Sequence, residues 1–187
     1  MKTAPRLLCA LLAVAVLTLS ACSSGSGKNF HFKSATPIGQ LYPASDRKPA
    51  GSFDGTLLTG QKFDLASTRG KVVVLTFWAS WCAPCQVETP QFDLLYRQIK
   101  SQGVDFVGVN TKDIKSKADA FVSSNDISFP SVFDPDGQTE LELGDIPQSA
   151  LPNTILLDKQ GNIAAVYLAR LSAKDLQGPI DSLLAGH

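Results

Sequence analysis

Two cysteines three residues apart carry the clearest candidate chemistry in this sequence. Cys82 and Cys85 follow an apolar, β-branched run over residues 71–78, which is typical of a buried central strand. Apolar residues at helical spacing then predict a helix from about residue 84 to 100. Cys82 would lie at the N-terminus of this helix, where unpaired backbone N–H groups and the helix dipole favour a thiolate. A thiolate in that position is suited to thiol–disulfide exchange.

The second thiol is expected to play a different part in such an exchange. Cys85 would lie about one helical turn further on, buried and more protonated, so that Cys82 attacks first and Cys85 resolves the mixed disulfide. A structural disulfide and half of a metal site are the alternatives. Zinc needs four ligands, but the two histidines, His31 and His187, lie near the N-terminus and at the last residue. We therefore expect no metal and no cofactor.

The first 22 residues resemble a bacterial lipoprotein leader. Lys2 and Arg6 precede an uncharged apolar run over residues 7–19. As a helix that run would span about 20 Å, against about 30 Å for the hydrocarbon core of a bilayer. The run suits a signal peptide, and Leu19-Ser20-Ala21-Cys22 resembles a lipobox. We predict a signal peptide over residues 1–21 and lipid on Cys22; the alternative is an ordinary signal peptide cut nearby.

The composition argues against a disordered protein and against a nucleic-acid-binding protein. Of the 187 residues, 44% are hydrophobic, which excludes wholesale disorder. The 17 Lys and Arg balance 17 Asp and Glu, and loss of the two leader cations would leave the chain slightly acidic, so no nucleic-acid partner is expected. Polar, Ser-, Gly- and Pro-containing sequence over residues 22–48 predicts a lipidated flexible tether. Residues 49–187 are predicted to form the folded domain.

The patterns after residue 50 predict an α/β fold. A hairpin is followed by strands and helices in the order β-α-β-α-β-β-α, which indicates a mixed central sheet flanked by helices. The predicted hairpin joins residues 53–57 and 61–65; the strands are 71–78, 104–109, 153–157 and 163–168; the helices are 84–100, 118–125 and 173–184.

Several motifs in the same order resemble the extracytoplasmic TlpA/ResA branch of thioredoxin-like proteins, from about Gly51 to the C-terminus. They are Gly70-Lys71, Phe77-Trp78-Ala79-Ser80-Trp81-Cys82, Glu88-Thr89-Pro90 and Leu157-Asp158-Lys159-Gln160-Gly161. Cys85 and Leu151-Pro152-Asn153-Thr154 resemble the second active-site cysteine and the X-Pro-x-Thr segment of thioredoxins in general. The resemblance implies a thioredoxin fold with an N-terminal β-hairpin extension and a redox-active Cys82–Cys85 disulfide. It also implies a membrane-tethered protein outside the cytoplasm that exchanges thiols and disulfides with protein substrates; the lipobox makes the tether a lipid anchor on Cys22.

The resemblance further implies a direction, partners and substrate-facing residues. A reductase of this branch takes electrons from a membrane donor and often serves cytochrome c maturation. A disulfide-donating oxidase is the alternative, and a copper(I) chaperone a more distant one. The family pattern makes Pro152 a cis residue over the sulfur atoms, with the Leu151 backbone beside Cys82 for pairing with an extended substrate. Trp81 is expected at the rim of this site and Trp78 in the core.

Departures from the thioredoxin pattern leave the proton acceptor for Cys85 unassigned. Thr76 stands where thioredoxins have a buried Asp, and Gly108 stands where they have a Lys. Ala83 replaces a Glu that some ResA-like proteins carry between the cysteines. Glu88 matches an acid that the branch places one turn after the second Cys. It is either a proton-transfer group or a solvated carboxylate on the helix surface, and the sequence leaves both interpretations open.

Overall fold

The computed structural model describes residues 30–147 and 151–187, so the predicted signal peptide and Cys22 lie outside the described residues. The twelve α-helices and β-strands of the described part are, in chain order, β1 (Lys48–Pro49), β2 (Asp54–Thr56), β3 (Lys62–Asp64), β4 (Val72–Trp78), α1 (Ala83–Ile99), β5 (Val104–Thr111), α2 (Lys115–Ser124), β6 (Ser131–Asp134), α3 (Thr139–Gly144), β7 (Asn153–Leu157), β8 (Asn162–Tyr167) and α4 (Ala173–Leu184).

A mixed six-stranded sheet forms the centre of the fold, with strand order β1-β8-β7-β4-β5-β6. β4 is buried at all seven positions, as its apolar run predicts. It runs parallel to β5 and antiparallel to β7. The C-terminal ends of β4 and β5 and the N-terminal end of β7 therefore meet at one edge of the sheet. The predicted fold class is confirmed, and β2 and β3 form the predicted hairpin.

Two hydrophobic clusters, one on each face of the sheet, fix the helices against it. On one face, Phe77 of β4 lies in a cluster with Leu143 of α3. On the other face, Phe92 of α1 and Leu176 of α4 share a second cluster. Burial of each such side chain contributes roughly 1.5–3 kcal/mol. The helix that begins after Cys82 is therefore held firmly on the sheet.

The segment before β1 is packed along the sheet, which differs from the flexible tether expected over residues 22–48. The Thr36 N–H donates to the Val166 carbonyl and the Tyr42 N–H to the Ala164 carbonyl, both at 2.7 Å. Phe30 is buried in one hydrophobic cluster. β1 pairs only with Asn162 and Ile163, at the beginning of β8. The segment before β1 pairs with the rest of that edge of β8. The expectation of a tether is therefore wrong for residues 30–48, because an unpaired strand edge takes up their backbone donors.

Candidate active site

Cys82 and Cys85 are joined by a disulfide at the start of α1. Cys82 is the N-cap residue of the helix, and its Sγ accepts a hydrogen bond from the Cys85 N–H at 3.2 Å. Cys82 is 4% exposed and Cys85 is 1% exposed. When the disulfide is reduced, the same N–H and the helix dipole would stabilise negative charge on Cys82. The structure thus places the first cysteine where the sequence predicts it.

The loop that carries Cys82 is held by a carboxylate that the sequence analysis missed. Asp113, just after β5, accepts hydrogen bonds from the Ser80 N–H at 2.5 Å and the Ser80 hydroxyl at 2.8 Å. It also accepts from the Asn110 amide at 2.9 Å and the Ile114 N–H at 2.7 Å. Burial alone would raise the pKa of Asp113, but these hydrogen bonds outweigh it and lower the pKa. Its position shortly after the predicted strand over residues 104–109 is the only signal for it in the sequence.

The two tryptophans occupy the places expected for them. Trp78 is buried in the cluster that contains both cysteines, and its indole N–H donates to the Ser131 hydroxyl at 3.3 Å. Trp81 is 60% exposed, and its indole N–H donates to the Lys112 carbonyl at 3.0 Å. Trp81 therefore presents a large aromatic surface next to Cys82 in a fixed orientation.

The Leu151–Pro152 peptide bond is cis, as the family pattern implies. Pro152 is buried, and Leu151 packs against the cluster of side chains that includes Cys82 and Cys85. The structure therefore brings the segment before β7 to the same edge of the sheet as the disulfide.

Glu88 is buried, which excludes a solvated helix-surface carboxylate. It is 1% exposed, and its Oε2 accepts the Leu171 N–H at 2.6 Å. Its Oε1 is buried without a hydrogen-bond partner. Burial raises the pKa of Glu88 from 4.5 to about 7, although the hydrogen bond from Leu171 and the charge of Arg170 act in the opposite direction. An acid with this pKa can exchange a proton near neutral pH.

Two hydroxyl groups lie at the same end of the sheet as the disulfide, on the face that α1 covers. Thr76 of β4 is directly opposite Thr154 of β7 in the strand pairing. Both hydroxyl oxygens are buried without a hydrogen-bond partner. The position where thioredoxins have a Lys is closed here: a Cβ on Gly108 would lie 2.3 Å from the Ser131 hydroxyl and 2.8 Å from the Trp78 indole nitrogen.

In residues 30–147 and 151–187, no group of three or more His, Cys, Asp or Glu side chains is placed to hold a metal ion. No helix in that part of the chain has the length and apolar character needed to cross a membrane.

The chain is similar to known thiol–disulfide oxidoreductases in sequence and in fold. Residues 43–178 match the Redoxin family. The chain is 31% identical over 154 residues to thiol-disulfide oxidoreductase ResA of Geobacillus kaustophilus, covering 82% of each chain. A solved DsbF homologue from Corynebacterium diphtheriae is 37% identical with a TM-score of 0.77, covering 82% of this chain and 99% of the other. A secreted thiol-disulfide isomerase from Corynebacterium glutamicum is 32% identical with a TM-score of 0.77, covering 84% and 98%. The chain therefore belongs to the Redoxin family and is a thiol–disulfide oxidoreductase of the ResA type.

Proposed function

We propose that this protein reduces protein disulfides outside the cytoplasm, with Cys82 as the attacking thiolate and Cys85 as the resolving thiol. The position of Cys82 at the N-cap of α1, with its Sγ 3.2 Å from the Cys85 N–H, is the observation that carries this assignment. A secreted relative with the same fold supports the compartment.

The proposed exchange moves two electrons in two displacement steps. The Cys82 thiolate attacks one sulfur of the substrate disulfide, forms a mixed disulfide and releases the other sulfur as a thiolate. Cys85 then loses its proton and attacks the Cys82 Sγ, which releases the second substrate sulfur. The Cys82–Cys85 pair ends as a disulfide. The substrate ends as two thiolates, one of which takes up the proton lost by Cys85 and the other a proton from solvent, which had received the Cys82 proton when its thiolate formed.

Glu88 is the group we propose as the proton acceptor for Cys85. Residues three apart on a helix are neighbours on one face, so Glu88 follows Cys85 on the buried face of α1. Its pKa of about 7 lies close to neutral pH, and a general base works best when its pKa is near the pH at which the protein operates. The Thr76 and Thr154 hydroxyls lie on the face of the sheet that α1 covers. They could pass the proton from Cys85 to Glu88 directly or through a bridging water. Glu88 thus takes the part that a buried Asp plays in thioredoxins.

Protein substrates are proposed to bind across Trp81, Leu151 and Pro152. The exposed Trp81 ring supplies apolar contact area beside Cys82, and aromatic rings do so at a low entropic cost. The Leu151 backbone precedes β7 and can pair with an extended segment of substrate, as in strand addition. Together these contacts would align a substrate disulfide with Cys82.

The reductase direction is favoured by the surroundings of Cys82. Among the described residues, the hydrogen bond found at the Cys82 Sγ comes from one backbone N–H, and Ala83 and Pro84 add no charge. A thiolate with modest stabilisation makes the pair a weaker oxidant. The resemblance to the TlpA/ResA branch supports a membrane electron donor and a place in cytochrome c maturation. A disulfide-donating oxidase is the competing direction.

Mixed-disulfide trapping tests the roles of the two cysteines. Cys85→Ser should accumulate mixed disulfides with insulin, because the resolving thiol is absent, whereas Cys82→Ser should not. Accumulation through Cys85 in the Cys82→Ser variant, or faster alkylation of Cys85 than of Cys82 in the reduced wild type at pH 7, would reverse the assignment.

The leader sequence supports a second part of the proposal, a lipid on Cys22 after removal of residues 1–21. Mass spectrometry of the membrane fraction should find a lipid-modified N-terminal Cys22, and Cys22→Ala should release the protein or leave the precursor uncut. An unmodified Cys22 in the mature wild-type protein would overturn the anchor and leave the redox chemistry untouched.

A further inference from the structure

A second buried acid lies next to the cis-proline segment and has no part in the exchange described above. Glu140 of α3 is 4% exposed, and its Oε1 accepts a hydrogen bond from the Asn153 side-chain amide. Burial raises the pKa of Glu140 to about 7, while Asn153 and Lys112 lower it and Asp134 raises it further. Sequence reasoning gave no indication of this contact, which joins two elements across 13 positions.

The contact is placed where it can control the substrate-facing backbone. β7 begins at Asn153, directly after Pro152, and Asn153 is opposite Phe77 in the first pair of the β4–β7 ladder. Leu151 and Pro152 therefore lie just outside the ladder. Successive residues of a strand point to opposite faces, so Glu140 holds Asn153 from the face opposite to α1 and Glu88.

The surroundings of Glu140 connect both sides of the proposed substrate site. Lys112, whose charge acts on Glu140, uses its carbonyl to hold the Trp81 indole at 3.0 Å. Asp134 accepts the Gln138 N–H at 3.0 Å and the Thr139 N–H at 3.1 Å, which fixes the start of α3. These hydrogen bonds hold the start of α3, the helix that carries Glu140. Glu140 therefore interacts both with Lys112, which holds Trp81, and with Asn153, which follows Pro152.

Stability alone does not account for an acid in this position. Burial of a carboxyl group carries a desolvation cost that a leucine of similar size would avoid. The hydrogen bond from Asn153 is therefore the best explanation for an acid at position 140.

We propose that Glu140 is a positioning residue for protein substrates. By accepting the Asn153 amide it fixes the orientation of the Leu151–Pro152 backbone that an incoming chain must pair with. This inference rests on the proposed docking role of Leu151 and Pro152. It predicts that Glu140 affects reactions with protein disulfides more than reactions with small disulfides, since only the former need the backbone contact.

The experiment compares insulin with hydroxyethyl disulfide as substrates of the full mature chain. Glu140→Leu removes the acceptor and should raise KM for insulin about fivefold, the effect expected for loss of one hydrogen bond. The rate with hydroxyethyl disulfide should fall by a much smaller factor, and the reduction potential of the cysteine pair should stay at the wild-type value. Glu140→Gln keeps an acceptor oxygen and should restore the insulin KM.

Glu142→Leu is the matched control, because Glu142 is an exposed acid of the same helix; it should behave as wild type with both substrates. If Glu140→Leu does not fold, Glu140→Asp shortens the acid by one methylene and should give the same substrate-dependent change. Equal slowing with both substrates, or no rescue by Glu140→Gln, would overturn the positioning role. A wild-type chain that reduced hydroxyethyl disulfide but not insulin would instead contradict the proposed docking function.

Discussion

Replacement of Glu88 by Gln should change how the stability of the oxidised protein depends on pH. The pKa of Glu88 is raised from 4.5 to about 7 in the folded protein, chiefly by burial. Between these two values the folded state binds more protons than the unfolded state, so its stability falls as pH rises. The stabilisation from the protonated carboxyl group is complete below pH 4.5 and is lost as pH rises through about 7.

The size of the effect follows from the two pKa values. A difference between 4.5 and about 7 corresponds to on the order of 3 kcal/mol of unfolding free energy. Glu88→Gln removes this titration, while its amide oxygen can still accept the Leu171 N–H. From pH 4 to 8, the wild type should therefore lose on the order of 3 kcal/mol more than the variant.

Urea unfolding of both proteins in the disulfide form, followed by tryptophan fluorescence, measures this difference directly. Glu142→Gln, which removes an exposed acid from α3, is the control and should follow the wild type across the range. In single-turnover reactions of the reduced proteins with insulin, decay of the transient mixed disulfide should also differ: Glu88→Gln should slow this second step by about 100-fold at pH 7, as expected for loss of a general base. Parallel stability curves for wild type and Glu88→Gln would refute the raised pKa, and unchanged resolution would refute proton transfer.

Three further substitutions test the loop, the surface and the packing of the site. Asp113→Ala removes the acceptor of both Ser80 hydrogen bonds and should cost about 2 kcal/mol in urea unfolding, with faster hydrogen exchange at the Ser80 amide. Trp81→Ala removes an exposed ring and should change stability by less than about 0.5 kcal/mol while lowering kcat/KM for insulin. Gly108→Ala would place a Cβ 2.3 Å from the Ser131 hydroxyl and 2.8 Å from the Trp78 nitrogen, and should cost on the order of 2 kcal/mol in thermal or urea unfolding; unchanged stability would show that Ser131 rotates away freely.

Elements with a strong local pattern were predictable from the sequence. The apolar run of β4 and the amphipathic spacing of α4 gave their positions to within one residue, and Ala173–Leu184 matches in full. The spacing of Cys82 and Cys85 after a buried strand also indicated the helix N-terminus that holds the disulfide. In each of these cases the signal lies within one continuous stretch of chain.

The parts that were missed depend on contacts between distant stretches. β6 has four residues and α3 has six, which is too short for a periodic pattern, and Leu143 of α3 is fixed by its cluster with Phe77. The burial of Glu88 depends on Leu171, 83 positions away. The same holds for residues 30–48, whose polar composition predicts coil but whose backbone pairs with β8.

The standard reduction potential of the Cys82–Cys85 pair, measured by equilibration of the purified mature protein with thiol–disulfide buffers, tests the proposed direction most directly. A reductase whose Cys82 Sγ accepts one backbone hydrogen bond in the disulfide form should have a potential near that of thioredoxin, about −270 mV, and below that of protein disulfide isomerase, about −180 mV. A potential near that of the strong oxidant DsbA, about −120 mV, would contradict the reductase and assign the protein to disulfide donation.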